Sequence, residues 1–397
     1  MAIQSVTQIA YDSSFEGSNI ILDLSDVDAN GFFVPYTRIN AANPAVSSSR
    51  WLTNLYAVKN ALGKELRVKV DANDPLNHYY SFVSASIQDS RTLFASSPDG
   101  PWQVMPNRTQ SGSVVTNILP SSPFSTVYLS WTYSETLSSY FRYIRSLLSL
   151  PSVVPTASAP NFVVTMQDGS EGDFFDLVAD AEVFGFRVKS TGSDPLLLMM
   201  TAGQHPGETG TLGGMRGFLD KITANDAFGI NFREHFDVIV YPHLNPIAER
   251  ENMWRATIAE IDQNRSWGNT NTNDAVVDSI KAAIDTDVAS LGKVGPDVFL
   301  DWHASTNGLS GFAYVMDQNA GIYPQLESKM QSKAPNYFGL RESSSSAGAR
   351  GYMVNQKDVS FALTAEAYWQ DTQDVHYDTG AAYAESISEL RQEGLLS

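Results

Sequence analysis

The sequence predicts two units in tandem, an antiparallel β-sandwich over residues 1–150 and an α/β layer domain over residues 151–397. Three observations carry that prediction. The chain has 397 residues, 43% hydrophobic and 18% charged, a folded composition longer than one ordinary domain of about 100–200 residues. Between residues 11 and 135 the apolar residues fall in short runs separated by Gly, Pro, Asn, Asp and Ser clusters, the rhythm of strands and tight turns. Beyond residue 150 the apolar runs become continuous and alternate with helical segments, as expected of strands covered on both faces.

In the first unit the strand-like runs are Asn19–Leu24, Leu66–Val70, Tyr79–Val83 and Val127–Tyr133. A helix over 135–150 follows, because Tyr140, Tyr143, Ile144 and Leu147 share one face. Pro151 and the segment Pro155–Pro160 break it and set the boundary near 150. In the second unit the strands are Pro195–Met200, Phe236–Tyr241, Asp297–Trp302 and Phe361–Ala365, with helices around 208–223 and 273–290. Ser343–Ser346 reads as a solvated loop, and no internal repeat is present.

Composition also excludes function classes. A net charge of -18 repels phosphate backbones, so nucleic acid is not an expected partner. The longest apolar stretch, Leu196–Met200, is far short of the ~20 residues of a membrane helix. The first residues have neither a cationic nor an apolar leader region, so a cytoplasmic location is expected. With no cysteine, any metal must sit on His, Asp or Glu.

Only six histidines are available, and two of them directly follow buried-strand patterns. His205 comes just after Leu196–Met200 and just before a helix, so His205 and Glu208 can converge from one tight turn on one ion. His303 follows Asp297–Trp302 in the same way. Alone, a His-x-x-Glu is common by chance; two His and one Glu at strand ends, with a coordination position left for water, make a catalytic zinc set, the one for which carboxypeptidase A is a standard example. Between these ligands Asp262-Gln-Asn264-Arg265 offers amide and guanidinium donors suited to a carboxylate. Glu366 places a carboxylate near the end of an apolar strand, where it can serve as a base.

Taken jointly, His205-Pro-Gly-Glu208, Arg255, Asp262-Gln-Asn264-Arg265, His303 and Glu366 resemble, in order, the zinc metallocarboxypeptidases of the M14 family. The His-Pro-Gly-Glu form looks like the cytosolic carboxypeptidase branch, as do Phe15–Ile20 and Val127–Tyr133 in the N-terminal unit. The resemblance implies a β-sandwich followed by an α/β/α catalytic domain with a mixed sheet, and hydrolysis of the last peptide bond of peptide or protein C-termini. It implies one zinc ion on His205, Glu208 and His303, with Asp262 orienting His205. Glu366 is then the general base, Arg255 the oxyanion partner, and Asn264 and Arg265 the anchors of the substrate's terminal carboxylate.

Arg350, sixteen positions before Glu366, lies in Ala347-Gly-Ala-Arg350-Gly, similar to that branch's stretch for a glutamate side chain. An acidic C-terminal preference is therefore expected. The sequence departs from the family at Asn245-Pro-Ile247-Ala248, where Asn-Pro-Asp-Gly is usual, and at Ser344–Ser346, where the substrate-capping tyrosine would fall; Tyr352 is the nearest tyrosine. Two other readings are carried forward. One is a zinc amidohydrolase of the aspartoacylase and succinylglutamate desuccinylase type, to which the N-terminal sandwich is foreign. The other is a binding or structural protein with a vestigial site. The sequence does not give the oligomeric state.

Overall fold

A computed structural model describes residues 10–12, 56–71, 91–112, 114–130, 136–160, 184–250, 257, 261–268, 274–305, 311–316, 321–359, 361–368 and 371–396. The expected strands Asn19–Leu24 and Tyr79–Val83, and the segment Phe15–Ile20, lie outside the described residues.

The N-terminal strands are β1 (Ala10–Asp12), β2 (Tyr56–Lys59), β3 (Leu66–Asp71), β4 (Leu93–Ala95), β5 (Gln103–Val104), β6 (Asn107–Ser111), β7 (Val114–Leu119) and β8 (Thr126–Ser130). They form a five-stranded sheet in the order β1-β2-β8-β4-β5 and a three-stranded sheet in the order β3-β7-β6, every pair antiparallel. Alternation is clearest in β7, where Val115, Asn117 and Leu119 are buried while Val114, Thr116 and Ile118 between them are half-buried.

Helix α1 (Leu137–Leu148) starts at Thr136, whose hydroxyl accepts from Ser139 N at 3.2 Å. Asp99, from the loop after β4, in turn accepts from Thr136 N and Oγ1 at 2.9 and 2.7 Å. The apolar face of α1, with Tyr140, Phe141, Ile144 and Leu147, packs into the same core cluster as the large C-terminal sheet. Tyr140 Oη donates to Pro242 O at 3.1 Å.

That sheet contains β9 (Val153–Pro155), β10 (Phe186–Val188), β11 (Leu196–Ala202), β12 (Phe236–Tyr241), β13 (Val298–Ser305), β14 (Phe312–Val315), β15 (Gly339–Glu342) and β16 (Phe361–Tyr368). Its order is β15-β14-β16-β13-β11-β12-β10-β9. The four central strands, β16, β13, β11 and β12, are mutually parallel; β14 and β10 join them antiparallel, so the sheet is mixed. Both faces are covered. Leu196, Leu198 and Met200 of β11 point into one core cluster with α1 and the helices α2 (Gly210–Thr223), α3 (Ala227–His235), α6 (Tyr323–Lys333) and α8 (Gln373–Gln392). Leu197 and Met199 point into another with α5 (Ala275–Ser290) and α7 (Ala349–Lys357). Burial on both faces is the physical reason that β11 is apolar without a break from Leu196 to Met200. A short helix α4 (Pro246–Arg250) follows β12. Among the described residues no helix is long and apolar enough to cross a membrane.

The connectivity locates a crevice. From β11 the chain moves outward to β12, then returns to place β13 on the other side of β11. At such a reversal the connections leave in opposite directions and open a cleft at the carboxyl ends of the two strands. His205 and His303 sit there.

Behind the crevice α2 and α8 approach closely; a Cβ on Gly217 would lie 1.9 Å from Tyr377 O. His376 of α8, 1% exposed, rests against Gly210 and Gly213, and burial lowers its pKa to about 4. The folded chain thus refuses a proton that the unfolded chain accepts below about 6.5. A depressed folded-state pKa makes this contribution full above pH 6.5 and lost as pH falls to about 4. Across that window wild type is expected to lose up to about 3 kcal/mol relative to His376→Gln, read from urea midpoints at each pH. Parallel curves for the two proteins would refute this.

Candidate metal centre and active site

The turn after β11 is made possible by Gly203, whose φ of +67° is left-handed and whose Cα faces the His243 ring too closely for a side chain. Glu208 N donates to His205 O at 3.1 Å, closing the turn and bringing His205 Nδ1 to 2.7 Å from Glu208 Oε1. From β13, His303 Nδ1 lies 2.9 Å from Glu208 Oε2, which also accepts from Ala304 N at 2.9 Å. One carboxylate thus faces two imidazole nitrogens. The three ligand atoms lie within 4.8 Å of one another and all three residues are buried. Burial alone would raise the Glu208 carboxyl, but the facing His205 and His303 hold it well below the usual carboxylate range. Burial pushes His303 down, and the Asp301 and Glu208 carboxylates more than offset this, leaving its pKa well above that of an ordinary imidazole. Two imidazoles and a carboxylate with convergent lone pairs suit a divalent transition metal, zinc above all.

The far sides of both rings meet carboxylates. His205 Nε2 is 3.1 Å from Asp262 Oδ1, and His303 Nε2 is 3.1 Å from Asp301 Oδ2. Asp262 directly precedes the 3₁₀ turn Gln263–Arg265, which carries Asn264 and Arg265. Asn264 Nδ2 comes within 3.2 Å of His303 Nε2, and its Oδ1 accepts from Ala349 N at 3.2 Å. Arg265 is exposed and donates from Nη1 to Asn264 O at 2.9 Å. Glu366 is in register with His303 on the neighbouring strand β16, about 4.8 Å away across the ladder and on the same face.

Arg350, in the first turn of α7, is 5% exposed. Its Nη2 donates to Ser343 O at 2.8 Å, while Nε and Nη1 are buried with no hydrogen-bond partner. Burial lowers its pKa, opposed by Asp301, Tyr323 and Glu366. Tyr352 lies against Trp267 at 5.6 Å between ring centres, with Lys281 and Lys357 over its ring. The unusual Asn245-Pro-Ile-Ala turn is braced: Asn245 N donates to His243 Nδ1 at 3.1 Å, Asn245 Nδ2 donates to Gln204 O at 3.3 Å, and His243 pairs with Glu249. Arg255 lies outside the described residues.

No family model and no curated relative matches this sequence. Solved structures do. A metallo-carboxypeptidase from Burkholderia cenocepacia matches with a TM-score of 0.73 at 15% identity, over 97% of this chain and 100% of its own. A metallo-carboxypeptidase from Pseudomonas aeruginosa, in complex with (2-guanidinoethylmercapto)succinic acid, matches with a TM-score of 0.71 at 17% identity, over 97% of this chain and 99% of its own. The fold is that of the metallo-carboxypeptidases. Within this metallo-carboxypeptidase fold three buried residues beside the candidate site were given no role by the sequence reading, namely Gln204, Trp267 and Asp301. A signal existed for Asp301, because it stands two positions before His303 on one strand and so shares its face. Its place inside an apolar run hid it.

Proposed function

We propose that this chain is a zinc-dependent carboxypeptidase that removes C-terminal residues from peptides or proteins and prefers acidic ones. The observation that carries the proposal is the convergence of His205, Glu208 and His303 at the crevice, with Glu366 in register beside them. Bound there, zinc would polarise the scissile carbonyl and acidify a water. In this reading Glu366 takes up a proton on its carboxylate and returns it to the leaving amine. Asn264 and Arg265 hold the terminal carboxylate, so that attack is confined to the last bond. Asp262 orients His205, and Arg255 is assigned to the developing oxyanion from its place in the motif order.

Support for the acidic preference comes from Arg350. A guanidinium that is 5% exposed and has two unpartnered donors bears a desolvation cost that a carboxylate can offset bidentately and an aliphatic side chain cannot. Matched peptides ending in Glu, Leu and Lys test it. Wild type is expected to favour Glu in kcat/KM by on the order of 10–100-fold, and Arg350→Ala to lose most of that ranking with zinc still bound. A wild type that favours Leu or Lys removes the preference and leaves the peptidase reading intact.

A further inference from the structure

A buried line of polar side chains leads into the metal centre from behind, and donor chemistry sets its direction. Trp267 is 1% exposed, and its indole N–H, which can only donate, meets Gln204 Oε1 at 2.7 Å. That contact decides which end of the Gln204 amide is oxygen. The NH2 end therefore faces Asp301, at 2.7 and 2.8 Å from its two oxygens. Asp301 is fully buried, and Thr201 Oγ1 donates to its Oδ1 at 2.7 Å. Its Oδ2 meets His303 Nε2 at 3.1 Å. A carboxylate only accepts, so this contact calls for a proton on Nε2, and by the same rule Glu208 Oε2, at 2.9 Å, calls for one on Nδ1 until a divalent cation bound between them takes that proton's place and leaves Nδ1 to offer a lone pair. Two amide nitrogens, Gln204 Nε2 and Asn264 Nδ2, also approach His303 Nε2 at 3.2 Å, and they would instead favour a lone pair there.

We infer that Trp267, Gln204 and Asp301 are positioning residues that hold His303 as its Nε2–H tautomer, with Nδ1 ready to ligate a divalent cation. The inference rests on the metal centre proposed above and adds residues outside its ligand set. Asp301→Asn keeps the shape. With Gln204 pinned by Trp267, the new amide must give its oxygen to Gln204 and Thr201 and turn its NH2 toward His303 Nε2. That favours the opposite tautomer. Trp267→Phe releases Gln204. In the double variant Gln204 can then turn its oxygen toward the NH2 of the amide introduced by Asp301→Asn, so that the oxygen of that amide returns to His303.

Zinc affinity measured by competition with a chromophoric chelator tests this, with circular dichroism as the folding control. Asp301→Asn is expected to bind zinc about 10–100-fold more weakly than wild type. Trp267→Phe alone should weaken zinc binding by a smaller factor than Asp301→Asn does, and the double variant should bind more tightly than Asp301→Asn. Additive losses, or an Asp301→Asn variant equal to wild type, overturn the relay. A wild type that binds no divalent cation sinks the metal centre and this inference with it. Long-range proton–nitrogen correlation on the zinc-loaded wild type reads the tautomer without any variant: protonated Nε2 on His303 is expected, and an unprotonated Nε2 overturns the assignment.

Discussion

Glu366→Gln is expected to lower kcat by about 10²–10⁴-fold while leaving zinc affinity and KM within a few-fold of wild type. The amide is nearly isosteric, so packing beside His303 on β16 is preserved, but it accepts no proton at the pH of the reaction. The register His303↔Glu366 sets the carboxylate beside a proposed ligand, outside the candidate group of three. Loss of turnover with metal retained therefore separates the proton-transfer role from a ligand role. A variant that turns over like wild type would move the base elsewhere, with Glu342 and Asp371 the next candidates.

His303→Ala is expected to fail differently. Removing one of three ligand atoms leaves His205 and Glu208, too few for a stable catalytic zinc site. Bound zinc, counted by elemental analysis after dialysis, should drop from about one equivalent per chain to near zero, and activity should fall at least as far as in Glu366→Gln. A strong chelator should reproduce the loss in wild type, with added zinc restoring activity there and not in the variant. Full activity of a verified metal-free sample would refute the metal reading outright.

Much of the frame was legible because apolar periodicity reports burial directly. The uniform run before His205 is strand β11, and the helices expected around 208–223 and 273–290 are Gly210–Thr223 and Ala275–Ser290. Strand ends were harder to see. The sequence reading closed one strand at Trp302 and another at Ala365, yet β13 runs to Ser305 and β16 to Tyr368, so His303 and Glu366 lie inside paired strands. Polar residues ended the apolar pattern, but the backbone ladder between those strands does not depend on side-chain polarity. The order of the sheet was beyond a single sequence, since nothing local says that β13 pairs with β11 and β16 at once. The buried line through Gln204, Asp301 and Trp267 was hidden for a related reason: its members lie on three separate segments and meet only in the folded crevice.

The proposed ligand set would join parts of the chain that are far apart in sequence. Glu208 and His303 are separated by 95 positions, and the segment between them contains α2, α3, β12 and α5. In a chain without a single cysteine, a cation held by both ends would tie off that long loop as a removable cross-link. Closing a loop of this length restricts the unfolded chain in the sense usually discussed for disulfides, and the stabilisation grows with free metal as RT ln(1 + [M]/Kd). The proposed catalytic centre would then also serve as a clasp between these segments, and its strength would follow the metal supply around it.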